Sequence, residues 1–183
     1  MGVLGNIAYF LIDTLFGLYI GLIMVRFLLG LVRADFYNPF SQFVVAVTNP
    51  LLRPLRRLIP AVAGIDTAAI VLMFGLKLLQ LYLLVILQGA VPPLLPLLWV
   101  AALKLVELAI YVYIIALIAQ AVLSWVNPQG YGHNPLASLL HSLNDPLLRP
   151  LQRIIPPVGM FDLSPLVAIL LLNVALIVVR ALY

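Results

Sequence analysis

The chain has 183 residues, 65% of them hydrophobic and 9% charged, with a mean hydropathy of +1.20. Soluble domains carry about 25% charged residues, so a water-covered globule is excluded and the chain reads as an integral membrane protein. With no cysteine there is no disulfide, iron–sulfur or zinc–thiolate chemistry, and the net charge of +4 matters less than where its arginines fall.

The first apolar stretch, Ile7–Leu31, has the length of a transmembrane helix. It lacks a basic leader and a small-residue cleavage site, so it is expected to be a retained span. Asp13 lies inside it, and Gly17 and Gly21 form a small-residue stripe that favours a tight helix contact, within the bundle or between protomers. A polar segment follows. Asn38-Pro39 looks like the start of a short helix over Phe40–Val47. Asn49-Pro50 looks like the start of a second, with Asn49 as N-cap and Pro50 in the first turn. Pro54 falls one turn further on, so this second helix is expected to be short, kinked or partly 3₁₀. Wound as a helix, it carries Arg53, Arg56 and Arg57 on one face and Leu51, Leu52, Leu55, Leu58 and Ile59 on the other, the pattern of a segment lying in a membrane interface.

Asp66 is placed to cap the next span, Ala68–Leu87, which contains Lys77. The connector Gln88–Val100 is uncharged and holds Pro92, Pro93, Pro96 and Trp99. It reads either as an interfacial cap or as a run whose second half extends the third span. That span, Ala101–Trp125, contains Lys104, Glu107 and Gln120. The second polar segment repeats the first, and Pro165–Leu182, with Asn173 and Arg180, completes the set.

The repetition is in step throughout. Asn49-Pro-Leu-Leu-Arg-Pro-Leu-Arg-Arg-Leu-Ile-Pro60 returns as Asp145-Pro-Leu-Leu-Arg-Pro-Leu-Gln-Arg-Ile-Ile-Pro156 at an offset of 96, which also carries Asn38-Pro39 onto Asn134-Pro135 and Asp66 onto Asp162. Such self-similarity marks a duplicated unit. The expected fold is an all-α membrane protein with about four transmembrane helices in two parallel hairpin repeats, plus short interfacial amphipathic helices. Residues 1–88 form the first repeat, 89–100 the connector and 101–183 the second. Arg26, Arg33, Arg53, Arg56, Arg57, Arg149 and Arg153 all fall in or beside the two motif loops. By the positive-inside rule these loops are expected to be cytoplasmic and both termini outside.

Two groups of residues are candidates for function. Arg53, Arg56, Arg57, Arg149 and Arg153 can set topology, bind anionic headgroups at about 1 kcal/mol each, or dock a protein partner. Asp13, Lys77, Lys104, Glu107 and Asn173 lie inside spans, where ionisable groups are costly. Lys104 and Glu107 can pair at i, i+3, and Arg180 can meet Asp13 or Glu107. Lys77 and Asn173 are repeat equivalents that a pseudo-twofold bundle would bring face to face. These groups serve either as bundle-locking ion pairs or as an ion path through an oligomer. His133 and His141 have no partners at metal-ligand spacing, and no phosphate loop, nucleophile elbow or HExxH occurs. Neither an enzyme, a cofactor nor a direct nucleic-acid partner is expected.

Asn-Pro, then Pro-Leu-Leu-Arg-Pro-Leu-(Arg/Gln)-Arg-(Leu/Ile)-Ile-Pro, then a glycine turn and Asp, resembles the YggT (YlmG-like) family of small bacterial and plastid membrane proteins. Asp35-Phe-Tyr-Asn-Pro-Phe-Ser-Gln-Phe43 looks like its two-repeat proteobacterial form. Gln152 departs from the motif's second Arg, and Met160 stands where Gly64 does. The resemblance implies a multi-pass protein of the bacterial inner membrane and brings no catalytic residue. Bacterial relatives are associated with osmotic tolerance and ion uptake, plastid ones with nucleoid distribution and cytochrome b6 maturation. The leading expectation is a non-enzymatic scaffold or assembly factor with a protein partner or homo-oligomer, the alternative a channel or transporter component in ion homeostasis.

Overall fold

The computed structural model describes residues 2–126, 134–155 and 162–183. Six helices are present among them: α1 (Val3–Leu31), α2 (Pro39–Leu58), α3 (Thr67–Leu87), α4 (Leu94–Val126), α5 (Pro135–Ile154) and α6 (Ser164–Arg180). Three of these, α1, α3 and most of α4, are long and apolar enough to cross a membrane. The fourth expected span, α6, is equally apolar but has 17 residues, the lower limit for a crossing of about 17–25. The fold is therefore all-α and membrane-type, built as two copies of a long helix, an amphipathic helix and a second apolar helix.

The internal copy is visible to the residue. α2 and α5 each have 20 residues, and their ends, 39–58 and 135–154, coincide under the 96-residue offset. Each starts with an Asn whose side-chain oxygen accepts from the backbone N–H two residues on: Asn38 from Phe40 and Asn134 from Leu136, both at 3.0 Å. Each places Pro in the first turn, where the missing N–H costs no hydrogen bond.

The two short helices expected per motif are one continuous helix, so Asn49 and Asp145 are not N-caps and Pro50 and Pro146 are internal. The reason lies in which face the prolines occupy. Pro50, Pro54 and Ala46 are all exposed, so the carbonyls of Ala46 and Pro50, which lose their i+4 donors to proline, lie on the open side of the helix. The opposite face is buried at Ser41, Val44, Thr48 and Leu52, and burial along that continuous stripe outweighs two absent backbone bonds. The apolar face splits in two as a result: Leu52 is fully buried, whereas Leu51 and Leu58 point outward.

The connector is resolved in favour of the longer third span. α4 begins at Leu94 and runs 33 residues without a break; its Pro96 sits in the first turn, where proline is tolerated. α1 packs on α3, α4 on α6, and α3 on α4, while α2 and α5 lie across one end of the bundle and touch each other. Asn38 Nδ2 donates to the Pro135 carbonyl at 2.6 Å, a bond from the start of one amphipathic helix to the start of the other. Both arginine motifs therefore occupy the same end. The main core lies next to that end, with Ile20, Ile23 and Met24 of α1, Leu52 of α2, Met73 of α3 and Leu143 of α5 in one cluster. α3 is held by α1, α2 and α4, but its counterpart α6 by α4 and α5, so the repeats are alike inside and unequal in their neighbours.

Replacing either cap, Asn38→Ala or Asn134→Ala, should cost about 1 kcal/mol of stability. Asn38→Ala should cost more, because it also removes the bond to Pro135. Denaturant unfolding of the two variants in detergent micelles, side by side, checks that order.

Candidate functional site

The arginine motifs form an exposed layer. Arg53, Arg56, Arg57, Arg149 and Arg153 are all exposed on α2 and α5. Two of them are paired. Arg56 forms an ion pair with Asp66 across the α2–α3 turn, and Arg149 Nε meets Asp145 Oδ2 at 2.6 Å one turn away. In the second repeat Gln152 replaces Arg56 and still donates to Asp162 Oδ2, at 2.8 Å. The same two positions thus tie the amphipathic helix to the next span in both halves, by an ion pair in one and a neutral donor in the other. Asp66 caps α3 as expected, accepting from Ala69 N–H at 3.3 Å, whereas Asp162 lies one residue before the N-cap Leu163 of α6 and accepts from Ser164 N–H at 2.8 Å. Burial raises the Asp162 pKa, but the hydrogen bonds from Ser164 and Gln152 outweigh it and hold the carboxyl below its ordinary value.

Arg26 is the residue whose role the sequence did not reveal. It sits near the end of α1, 6% exposed, and its guanidinium reaches into α2. One terminal nitrogen donates to Thr48 Oγ1 at 2.6 Å and to the Val45 carbonyl at 3.4 Å, the other to Asn49 Oδ1 at 3.0 Å. Asn49, expected as a cap, is a hydrogen-bond acceptor for this arginine instead. Beside the guanidinium opens a cavity of about 600 Å³ between α1, α2 and the α2–α3 turn. Its polar lining residues are Arg26, Gln42, Asn49, Arg56 and Asp66. The turn at its rim holds Ala63 and Gly64 both at positive φ, 52° and 81°, a geometry that favours glycine at the second position. The second repeat has Val122 at the position of Arg26, and there Asn144, at the position of Thr48, donates to Gln120 Oε1 at 2.7 Å.

Asp13, Lys77, Lys104 and Glu107 fall into two clusters, both in the half of the bundle away from α2 and α5. In the first, Gln80 of α3 donates to Asp13 Oδ1 at 2.9 Å and to the Asp13 carbonyl at 3.1 Å, and accepts from Lys77 Nζ at 2.8 Å. Gln80, not anticipated, is the link between Asp13 and Lys77. In the second, Glu107 is shared: Oε2 accepts from Lys104 Nζ and Tyr183 Oη, both at 2.8 Å, and Oε1 from Arg180 Nε at 2.9 Å. Arg180 also bonds Tyr111 Oη. Of the two partners open to Arg180, the fold selects Glu107. Lys77 and Asn173 are not brought together; Asn173 is exposed and bonds its own helix at the Ile169 carbonyl, 2.8 Å away. A methyl group placed on Gly17 or Gly21 would meet no neighbouring atom within 4 Å, so their stripe is not a close contact within this chain.

A family model described as CCB3/YggT matches the chain twice, over residues 5–87 and 99–183. The chain belongs to the CCB3/YggT family. It is 39% identical to "Uncharacterized protein YggT" of Escherichia coli K12 over 92% of this chain and 87% of that one. A Pseudomonas aeruginosa relative is 41% identical over 93% of this chain and 86% of its own length. A Vibrio alginolyticus relative, "Uncharacterized protein in proC 3'region", is 41% identical over 88% and 87%. No solved structure matches. Each family-model match spans one long helix, one amphipathic helix and one further apolar helix, the unit seen in the fold. Among the described residues no group of His, Asp and Glu is placed to hold a metal ion; His133 and Met160 lie outside those residues.

Glu107→Gln should destabilise the protein by about 1.5–3 kcal/mol, the range for losing hydrogen bonds to a charged group, and adding Lys104→Gln should recover part of that loss. Unfolding in detergent for the single and double variants checks both signs. The depressed Asp162 pKa makes a stability contribution that is complete above the ordinary value of 3.8 and fades as pH falls through the lowered one. Asp162→Asn should therefore remove part of the acid limb of a stability-versus-pH curve and leave its neutral region flat.

Proposed function

We propose that this protein is a non-enzymatic membrane scaffold or assembly factor, working through the arginine-bearing layer made by α2 and α5. The observation that carries this reading is the joining of the two motif helices at one end of the bundle, with all five motif arginines exposed. Topology alone needs positive charge on one side; it does not need two 20-residue helices in identical register bonded start to start. A layer of this kind offers exposed Leu51, Leu58 and Ile154 to the acyl boundary and its guanidinium groups to headgroups or to an acidic partner surface. Placement in the bacterial inner membrane with the layer on the cytoplasmic side fits the arginine bias and the bacterial relatives.

The intramembrane charges support this reading over transport. Glu107 is shared among Lys104, Arg180 and Tyr183, and Asp13 is tied through Gln80 to Lys77. Groups so engaged lock helices together, and they form two separate clusters and not a file across the bundle. The remaining face of each motif helix is where an external surface can bind.

Combining Arg53→Gln, Arg57→Gln, Arg149→Gln and Arg153→Gln should leave folding and membrane insertion intact and abolish crosslinks to partner proteins in native membranes. Retention of the full crosslink pattern sinks the docking reading. Ion flux in proteoliposomes that falls on Asp13→Asn or Glu107→Gln would favour the transporter class instead.

A further inference from the structure

The cavity beside Arg26 has the wrong charge to be complete. Arg26 is a buried cation near the C-terminal end of α1, and each of its three hydrogen-bond acceptors, Val45, Thr48 and Asn49, is uncharged. A guanidinium carries five N–H donors, so it retains capacity. The Arg, Lys, Asp and Glu residues lining the cavity are Arg26, Arg56 and Asp66, two basic and one acidic, and Asp66 is already paired with Arg56. Burying a cation without a counter-charge is strongly unfavourable, and an anion in the adjoining space removes that penalty. Guanidinium groups recognise phosphate oxygens through their planar fork of donors.

The rest of the cavity indicates what else the anion carries. It is also lined by Phe27 and Leu31 of α1 and by Phe36, an apolar surface in the same cavity as the guanidinium groups. A volume of about 600 Å³ is that of a small-molecule site. A lining that is part charged and part apolar suits a phospholipid headgroup with the first part of its chain.

We propose that this cavity binds one phosphate-bearing anion, held by Arg26 and Arg56, with the Phe27–Leu31–Phe36 wall taking the acyl chain when the phosphate belongs to a phospholipid. The second repeat provides a contrast within the same chain. Val122 and Gln152 occupy the positions of Arg26 and Arg56, so neither cation is present and the site is expected once per molecule. It uses none of Arg53, Arg57, Arg149 or Arg153, so this proposal and the docking reading can fail separately.

The test is native mass spectrometry of the full chain released from nanodiscs of phosphatidylcholine with a minority of phosphatidylglycerol. One phosphatidylglycerol should be retained per chain. Arg26→Gln should reduce that retention about tenfold, the effect of losing a charge-assisted contact. Ala46 lines the cavity from α2 and is exposed, so Ala46→Trp fills the space with Arg26 in place and should abolish retention; it carries the test if Arg26→Gln fails to fold. A second arm adds inorganic phosphate to protein in phosphatidylcholine alone. A rise in the unfolding temperature that both variants lose, without lipid retention, supports the site and makes its anion a soluble phosphate. Retention that survives both variants overturns the proposal. So does the absence of both lipid retention and phosphate stabilisation.

Discussion

A single buried guanidinium fixes where the first amphipathic helix lies. Arg26 leaves α1 about one turn before its end and is received by three oxygens of α2. An arginine in an apolar helix cannot stay unsatisfied, because each bare donor in a low-dielectric surrounding costs several kcal/mol by order of magnitude. The chain meets that demand by bringing polar oxygens of α2, two side-chain and one backbone, to it. α2 is thereby held against α1 at one rotation, with Leu52 turned into the core and the motif arginines turned out. The cavity, the Arg56–Asp66 pair and the outward layer all follow from that placement.

The second repeat reaches the same architecture with weaker chemistry. Val122 replaces the arginine, and a Gln120–Asn144 amide pair joins α4 to α5 at 2.7 Å. Gln152 replaces Arg56 and keeps the bond to Asp162. Geometry has been preserved while charge has been removed, which separates what the fold requires from what one half alone possesses. α5 needs a polar tie to α4 and a donor to Asp162; it does not need a cation at either place. The half of the bundle away from α2 and α5 shows the reverse imbalance: the second repeat has Lys104, Glu107, Arg180 and Tyr183 where the first has Ala8, Leu11, Leu84 and Leu87.

What could be read from the residues was whatever depends on short separations or on the offset itself. The duplication, the Asn38 and Asn134 starts, the Asp66 cap and the Lys104–Glu107 pair are all local statements. The family was legible for the same reason, since its motif is contiguous. The continuity of α2 through Pro50 and Pro54 was not, because Asn49-Pro50 is a good helix start taken alone and is overruled by burial of Val44, Thr48 and Leu52 along one stripe. Gln80 was missed because a neutral amide in an apolar run gives no hint of which helix it faces. Lys77 and Asn173 stay apart because the two hairpins do not have matching neighbours. Arg26 was visible as a positive charge near the motif side; its partners in α2 depend on how two helices cross.

α4 and α6 stand side by side with very different lengths. At 1.5 Å per residue, 33 residues reach about 50 Å and 17 about 26 Å, against a hydrocarbon layer of about 30 Å. One helix overshoots the oil and its packed neighbour barely crosses it, so no uniform slab matches both. Trp99, one turn into α4, is pinned to the Leu182 carbonyl just past α6 at 3.1 Å, which levels the two helices at that end and sends the first residues of α4 beyond it. Such a mismatch is met by tilting α4, by running its far end out of the hydrocarbon beside α5, or by local thinning of the bilayer around α6.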